Sequence, residues 1–288
     1  MSLVDRIRDC ARFEPGCYRP FIVGDASVGR IGKDVAGLLR SFADVFEVTE
    51  DAVTMNEGLK GADQRTKAVA GVLEALRASG HVPGWRDEAY PVGLEFSAPA
   101  LLTMERAAVP LFGVKGYGVH VNGFVRDGEE IKMWVGKRSP DKPTGPGKLD
   151  QIVAGGQPTG VSLTDNVIKE CEEEAGIPAD LAATARPVGT VSYLTQRDEG
   201  LRDDVLFNYD LELPPGFKPK NRDGEVESFF LWPMVKVMDT LAKGDDFKFN
   251  CALVVIDFLV RRGFITPEDP DYIEIAQGVE RQFPSPNG

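Results

Sequence analysis

The stretch that most constrains this chain is residues 155–177, Gly-Gly-Gln-Pro-Thr-Gly-Val-Ser-Leu-Thr-Asp-Asn-Val-Ile-Lys-Glu-Cys-Glu-Glu-Glu-Ala-Gly-Ile. It reads as a glycine loop feeding a short two-faced helix. Thr164 is the expected N-cap, with Asp165 in the first turn, where the helix dipole favours a carboxylate. Gly176 suits the left-handed position that ends a helix, and Pro178 discourages continuation. Val167, Ile168, Cys171 and Ala175 fall on one face, while Glu170, Glu173 and Glu174 cluster on another at i, i+3 and i+4. Carboxylates packed this closely repel one another. A hard divalent cation relieves the repulsion, because Mg²⁺ takes oxygen ligands and shares them with substrate phosphates. A solvated acidic helix face is the competing reading. The upstream Gly155 and Gly156 favour the cation, since such a loop brings backbone amides close to phosphate oxygens.

The whole chain carries a net charge of −12 over 288 residues. That balance excludes a global pull toward nucleic acid or an anionic membrane, and a polyanionic substrate needs local cations or a bridging metal. Such a length suits two domains. The four cysteines, Cys10, Cys17, Cys171 and Cys251, show no metal-ligand spacing, and the two histidines, His81 and His120, lie far apart. A zinc site or a histidine-based triad is therefore not expected. The charged N-terminus lacks a signal-peptide core, and the run from Cys251 to Val260 is too short to span a bilayer. A cytoplasmic location is expected.

Along the chain, residues 2–13 pattern as an amphipathic helix, 18–23 and 28–31 as strands, 33–42 as a helix, 45–53 as a strand, and 63–79 as a helix capped by Asp63. Residues 101–111 pattern as a further helix. Trp85, Arg86 and Glu88 either face a ligand or cap an edge of the core. This makes residues 1–114 a small α+β domain, with the glycine-containing joint 113–118 opening a second domain, 115–288. There the pattern is strand 119–125, a turn at Asp127-Gly128, strand 131–135, and the Pro- and Gly-rich loop 139–150. Strand 152–154 then leads into the acidic stretch. Strands follow at 188–194 and 205–213, joined by a hairpin loop over 197–202, then a strand at 228–232. A helix starts at Pro233, another is capped by Asn250, and the tail past Pro267 is expected to be poorly ordered at its end. Arg138 and Lys148 flank the Pro-Gly loop and are candidate phosphate contacts.

Gly155, five residues, position 161, seven residues, then Lys169-Glu170-Cys171-Glu172-Glu173-Glu174-Ala175-Gly176-Ile177 resembles the Nudix box. Val161 stands where that box has its first Glu, and Lys169 where it has Arg. In the family those two positions brace the loop against the helix, whereas the retained glutamates hold the metal. The resemblance implies an α+β fold: a Nudix α/β/α sandwich with a mixed sheet, preceded by the small N-terminal α+β domain. The Pro-Thr-Gly-Pro-Gly-Lys-Leu-Asp segment ahead of Val-Ala-Gly-Gly, and the Trp-Arg-Asp-Glu segment, are similar to Nudix proteins associated with thiamine pyrophosphokinase.

What the resemblance implies is Mg²⁺-dependent hydrolysis of a diphosphate linkage, with Mn²⁺ as an alternative ion. Glu170, Glu173 and Glu174 would be the metal ligands. Glu170, Glu174 and Glu225 are the candidate catalytic carboxylates, with Glu227 behind them. Arg138, Lys148, Gly155 and Gly156 would bind substrate, and Lys169 and Gly176 would be structural. The implied substrate is thiamine diphosphate, a damaged analogue, or another nucleoside-diphosphate-X compound. A homodimer through the N-terminal domain is an open alternative to a ligand role for its aromatics. Two other functions compete: a non-catalytic diphosphate sensor, and an isopentenyl-diphosphate-isomerase-like enzyme. The isomerase chemistry needs a protonating cysteine and histidine metal ligands, which two isolated histidines do not favour.

Overall fold

A computed structural model describes residues 2–280. Helix α1 (Leu3–Asp9) opens with a capping box in which Ser2 and Asp5 bond each other's backbone amides. Its apolar face does not join the sheet that follows it in sequence. Val4, Ile7 and Cys10 instead pack into a core formed with residues of the C-terminal helices, including Leu253, Ile256 and Ile275.

The next layer is a four-stranded sheet of order β2-β1-β4-β3, built from β1 (Tyr18–Val23), β2 (Ala26–Gly32), β3 (Phe46–Val48) and β4 (Val53–Met55). Helix α2 (Lys33–Leu39) lies between β2 and β3 in the chain. The expected single strand 45–53 is thus a tight hairpin, because Thr49 turns the chain by bonding the Ala52 backbone. Helix α3 (Gly61–Ala78) buries Val69, Val72, Leu73 and Leu76 at helical spacing. It starts earlier than expected, with Lys60 rather than Asp63 at its N-cap.

Strands β5 (Ala89–Val92) and β6 (Leu102–Glu105) form a hairpin of their own. This corrects the helix expected over 101–111. Leu102 and Met104 alternate inward against Val92 and Tyr90, and Pro110 has no amide to continue a long helical ladder. The helical part is a 3-10 turn at Arg106–Ala108 that runs into one α-turn, α4 (Val109–Phe112), and Gly113 ends it at φ 54°.

The remaining strands make a seven-stranded mixed sheet: β7 (Lys115–Asp127), β8 (Glu130–Arg138), β9 (Leu149–Asp150) and β10 (Val153–Gly156) precede helices α5 (Leu163–Ala175) and α6 (Ala179–Ala182). Strands β11 (Arg186–Arg197), β12 (Gly200–Glu212) and β13 (Val226–Pro233) follow, then helices α7 (Met234–Lys243), α8 (Phe249–Arg261) and α9 (Tyr272–Glu280). The order is β11-β12-β7-β8-β13, with β10 paired to β7 and β9 to β8. Strand β12 runs parallel to β7, while the other pairings are antiparallel. The expected loop at 197–202 shrinks to a tight turn, because the β11–β12 ladder continues to the pair Arg197↔Gly200.

Alternation along β7 assigns its two faces. Val119, Val121 and Val125 meet Val167, Cys171 and Ala175 of α5 on one side, and Phe124 meets α8 on the other. The result is the α/β/α sandwich expected from the resemblance. Beyond Pro267 the chain forms α9, with Ile275 and Val279 buried; the end of the tail, 281–288, lies outside the described residues. Among the described residues no helix is long and apolar enough to cross a membrane.

Candidate active site

Helix α5 presents the acidic face. Its N-cap is Ser162, two residues ahead of the expected Thr164, because the Ser162 hydroxyl accepts from the Asp165 amide at 3.1 Å. Gly176 caps the other end at φ 62°, as its composition predicts. Cys171 is fully buried on the opposite face, in the core.

Glu174 is 5% exposed, and its carboxylate accepts from the Ala154 amide at 2.7 Å, tying α5 to β10. Burial drives its pKa well above the usual carboxylate range, and the neighbouring Glu170 charge drives it further. Glu170 is raised too, chiefly by burial, against the pull of Lys169. Lys169 lies 3.0 Å from Glu170 and 2.9 Å from Glu173, so its ammonium is a countercharge between them. Gly155 makes room for this arrangement: a Cβ there would stand 2.3 Å from Cδ of Glu170. The donors are hard carboxylate oxygens with a shared need for positive charge, which fits a Mg²⁺-type ion.

Val161 is exposed and supplies only a carbonyl to the loop. Bracing falls instead to Gln157 and Asn166, both buried. The Gln157 amide donates to the Val161 carbonyl at 2.6 Å, and Asn166 donates to the Gly156 carbonyl at 2.8 Å and to Gln157 at 2.9 Å. Asn166 sits inside the helix pattern as a polar residue on a buried face, which was the available signal for this role.

Two cavities, of about 80 and 190 Å³, open beside the glycine strand and share Arg106, Pro110, Ala154, Arg202 and Lys248. The wider one is lined by Arg86, Arg106, Arg138, Lys142, Arg202 and Lys248 against a single carboxylate, Glu199. Most of these cations are also paired, Arg106 with Glu88, Arg138 with Asp150, Lys142 with Glu225 and Arg202 with Glu199, and such a cavity suits an anionic ligand. The narrower cavity is walled by Tyr90, Tyr117 and the backbone of Gly155 and Gly156.

The sequence-derived candidates divide in space. Glu170 and Glu174 come together against Gly155 and Ala154, residues that with Gly156 line the narrower cavity, though neither glutamate lines it; Glu173 lies one turn away, half-exposed. Arg138 reaches the wider cavity, but its guanidinium is already engaged: Nη1 donates to Asp150 at 2.6 Å, and Nε and Nη2 donate to carbonyls of Thr144 and Gly145. It holds the Pro-Gly loop in place. Lys148 is not brought to the glutamates. It pairs with Asp245 at 2.9 Å and lines a separate shallow depression with Lys137 and Trp232. Glu225 lies at the rim, paired with Lys142 and 3.9 Å from Arg86. Burial alone would raise its pKa, yet Lys142 holds it below the ordinary value. Glu227 pairs outward with Lys137 at 2.9 Å. Of the Trp85-Arg86-Asp87-Glu88 segment, Arg86 and Glu88 serve the cleft, while Trp85 stacks under Arg77 at 4.6 Å.

One constellation lay beyond any sequence spacing. His120, Asp150 and Cys251 are buried with ligand atoms within 4.8 Å of one another. Protein donors already close it: Asp150 accepts from Arg138, from the Gln151 amide at 2.9 Å and from Cys251 at 2.7 Å, and His120 Nδ1 meets Gln151 at 2.7 Å. Burial pushes His120 down to about 4, and Arg138 and Lys248 outweigh burial to hold Asp150 at about 2. A cation there would displace the Arg138 guanidinium, so the cluster is a satisfied polar core rather than a metal centre.

Residues 116–252 match the NUDIX domain, and residues 2–116 match a domain of unknown function, DUF4743. The chain belongs to the Nudix hydrolases, a family that hydrolyses diphosphate-containing compounds and commonly uses Mg²⁺. Nudix hydrolase 20, chloroplastic, of Arabidopsis thaliana is 47% identical over 285 residues, which span 95% of this chain and 76% of that protein. Nudix hydrolase 24, chloroplastic, of the same plant is 49% identical over 263 residues, spanning 90% and 72%. The uncharacterized protein YJR142W of Saccharomyces cerevisiae is 38% identical over 263 residues, spanning 85% and 76%.

Proposed function

We propose that this hydrolase cleaves the diphosphate linkage of a small molecule to release a monophosphate, with Mg²⁺ held by Glu170, Glu173 and Glu174. The observation that carries this reading is the buried Glu170–Glu174 pair packed on the strand that borders a cavity whose charged lining is six cations and one carboxylate. Carboxylates whose pKa is raised by burial and mutual repulsion regain their charge beside a dication. When bound, the ion neutralises phosphate oxygens and makes its water acidic enough to form hydroxide near neutral pH.

The chain's own residues place these parts. The Ala154 amide orients Glu174, Gly155 leaves space for Glu170, and the cavity cations receive the phosphates. Glu225 and Glu170 are the candidate general bases. Lys142 keeps Glu225 ionised, which leaves it able to accept a proton from water, and geometry relative to bound substrate decides between the two. Thiamine diphosphate or a damaged analogue is the substrate we favour. The support is the resemblance of the segments around the box, together with Tyr90 and Tyr117 as aromatic walls for a heterocycle.

The test incubates the purified protein with thiamine diphosphate, its oxo analogue, ADP-ribose, NADH and nucleoside di- and triphosphates, with and without Mg²⁺. Magnesium-dependent monophosphate release, lost in Glu174→Gln, is the expected result. Binding of one of these compounds with no turnover of any would replace the hydrolase reading with a diphosphate sensor.

A further inference from the structure

The N-terminal hairpin β5–β6 is docked directly on the glycine loop of the Nudix segment. The Thr159 amide donates to the Ala89 carbonyl at 2.9 Å, and the backbone of Gly156 passes so close to Tyr90 that a Cβ on Gly156 would meet the phenol oxygen. The same imaginary Cβ would lie 3.1 Å from Cζ of Arg106. Glycine at this position is therefore required by two side chains that come from the N-terminal hairpin segment.

Those two side chains have unused capacity. Tyr90 is 4% exposed, yet its hydroxyl has no hydrogen-bond partner among the described residues while it lines the narrower cavity. A buried hydroxyl left this way is costly unless something outside the protein completes it. Arg106 is held from one side, its Nη1 donating to Glu88 at 2.9 Å and its backbone amide to the Glu88 carbonyl. Its Nε and Nη2 make no hydrogen bond among the described residues, and the residue lines both cavities. Glu105 fixes the corner beneath it by accepting from the amides of Arg86 and Ala107 at 2.8 and 3.2 Å.

Across the cavity stand Arg202 and Lys248. Arg202 is shared with Glu199 at 2.8 Å and Asp204 at 3.6 Å. The half-buried Lys248 ammonium forms no ion pair or hydrogen bond among the described residues, and burial lowers its pKa. Nε and Nη2 of Arg106 and the Lys248 ammonium, facing the Tyr90 hydroxyl across one cavity, are matched to an acceptor-only ligand of high charge density. A diphosphate group is such a ligand.

We propose that Tyr90 and Arg106 are substrate-binding residues of the hydrolase site, holding the diphosphate of the substrate together with Arg202 and Lys248, so that the DUF4743 segment completes the Nudix cleft. This rests on the hydrolase reading for the identity of the ligand, but not for the site itself. Arg106 grips oxygens from the N-terminal side, Lys248 neutralises them from the α8 side, and the Tyr90 hydroxyl donates to an oxygen lying along the Gly155–Gly156 backbone. The glycine strand runs between these groups and Glu170, which packs against Gly155.

The experiment measures inorganic pyrophosphate binding to the full chain in chelator by calorimetry, and steady-state kinetics with Mg²⁺ on whichever diphosphate is turned over. Variants are Arg106→Gln, Arg106→Lys, Tyr90→Phe and, as a charge control on an exposed helix face, Lys243→Gln, each checked for an unchanged melting temperature. The expected result is about tenfold weaker pyrophosphate binding in Arg106→Gln with a shallower salt dependence, partial recovery in Arg106→Lys, a several-fold loss in Tyr90→Phe, and none in Lys243→Gln. KM for the substrate rises in parallel. Unchanged affinity in folded Arg106→Gln and Tyr90→Phe, or no pyrophosphate binding by the parent chain, overturns the proposal. If Glu174→Gln abolishes turnover while the Arg106 and Tyr90 variants behave like the parent, this inference fails and the hydrolase reading stands. Arg106-dependent binding without any turnover gives the reverse outcome.

Discussion

Between about pH 7 and pH 5, acid should destabilise this protein through His120, before the lowered carboxyls such as Asp150 begin to contribute. His120 lies on β7, 3% exposed, with Nδ1 2.7 Å from the Gln151 side-chain oxygen. Burial lowers its pKa from 6.5 to about 4, against the opposing pull of Asp150. The folded chain thus refuses a proton that the unfolded chain accepts. Stability from this group is fully present above pH 6.5 and is lost as pH falls toward about 4. A displacement from 6.5 to about 4, at about 1.36 kcal/mol for each pH unit, amounts to about 3 kcal/mol. Roughly 2 kcal/mol of that loss falls between about pH 7 and pH 5. Glu170 and Glu174 titrate in the opposite sense, since raised carboxyls bind protons earlier in the folded state. The measure is therefore the difference between the parent and His120→Gln in urea unfolding at a series of pH values, at constant m. The variant starts less stable and its profile should be flatter by about 2 kcal/mol over that interval. The exposed His81 serves as the control substitution. Parallel profiles for parent and His120→Gln would refute the reasoning.

Arg138→Gln should cost about 3–5 kcal/mol in urea unfolding, because it leaves the Asp150 carboxylate buried without its guanidinium. Gly155→Ala should lower turnover at least about tenfold and stability by about 1–3 kcal/mol, as the new Cβ drives Glu170 from its place; kinetics and thermal melting report the two effects separately. Gly113→Ala should lower the melting temperature sharply, since a side chain at φ 54° costs about 1–2 kcal/mol and its Cβ would overlap the Arg30 carbonyl. Gly71→Ala, in the open middle of α3, should instead stabilise by about 1 kcal/mol in the same assay.

Local signals carried the acidic helix. Periodicity of Val167, Cys171 and Ala175, the stop at Gly176 and Pro178, and the glutamate spacing all act within a few residues, so α5 was legible from 155–177 alone. The competition between two neighbouring hydroxyls for the cap, won by Ser162 over Thr164, depends on backbone angles that composition does not set. Residues 101–111 were misread because Tyr90 and Val92, which recruit Leu102 and Met104 into a hairpin, lie a loop away. Burial then altered roles: Arg138 was a phosphate candidate by charge and became a buried partner of Asp150, while Lys148 was carried to another face.

Sequence by itself determined the acidic helix and the Nudix family, because carboxylates clustered on one helix face are fixed by a spacing of three and four. Tertiary structure alone decided what surrounds that helix. Tyr90, Arg106, Arg202 and Lys248 come from segments far apart along the chain, as do His120, Asp150 and Cys251. Sheet pairing and domain docking bring such groups within hydrogen-bond range at no fixed sequence interval, so no spacing could have announced them.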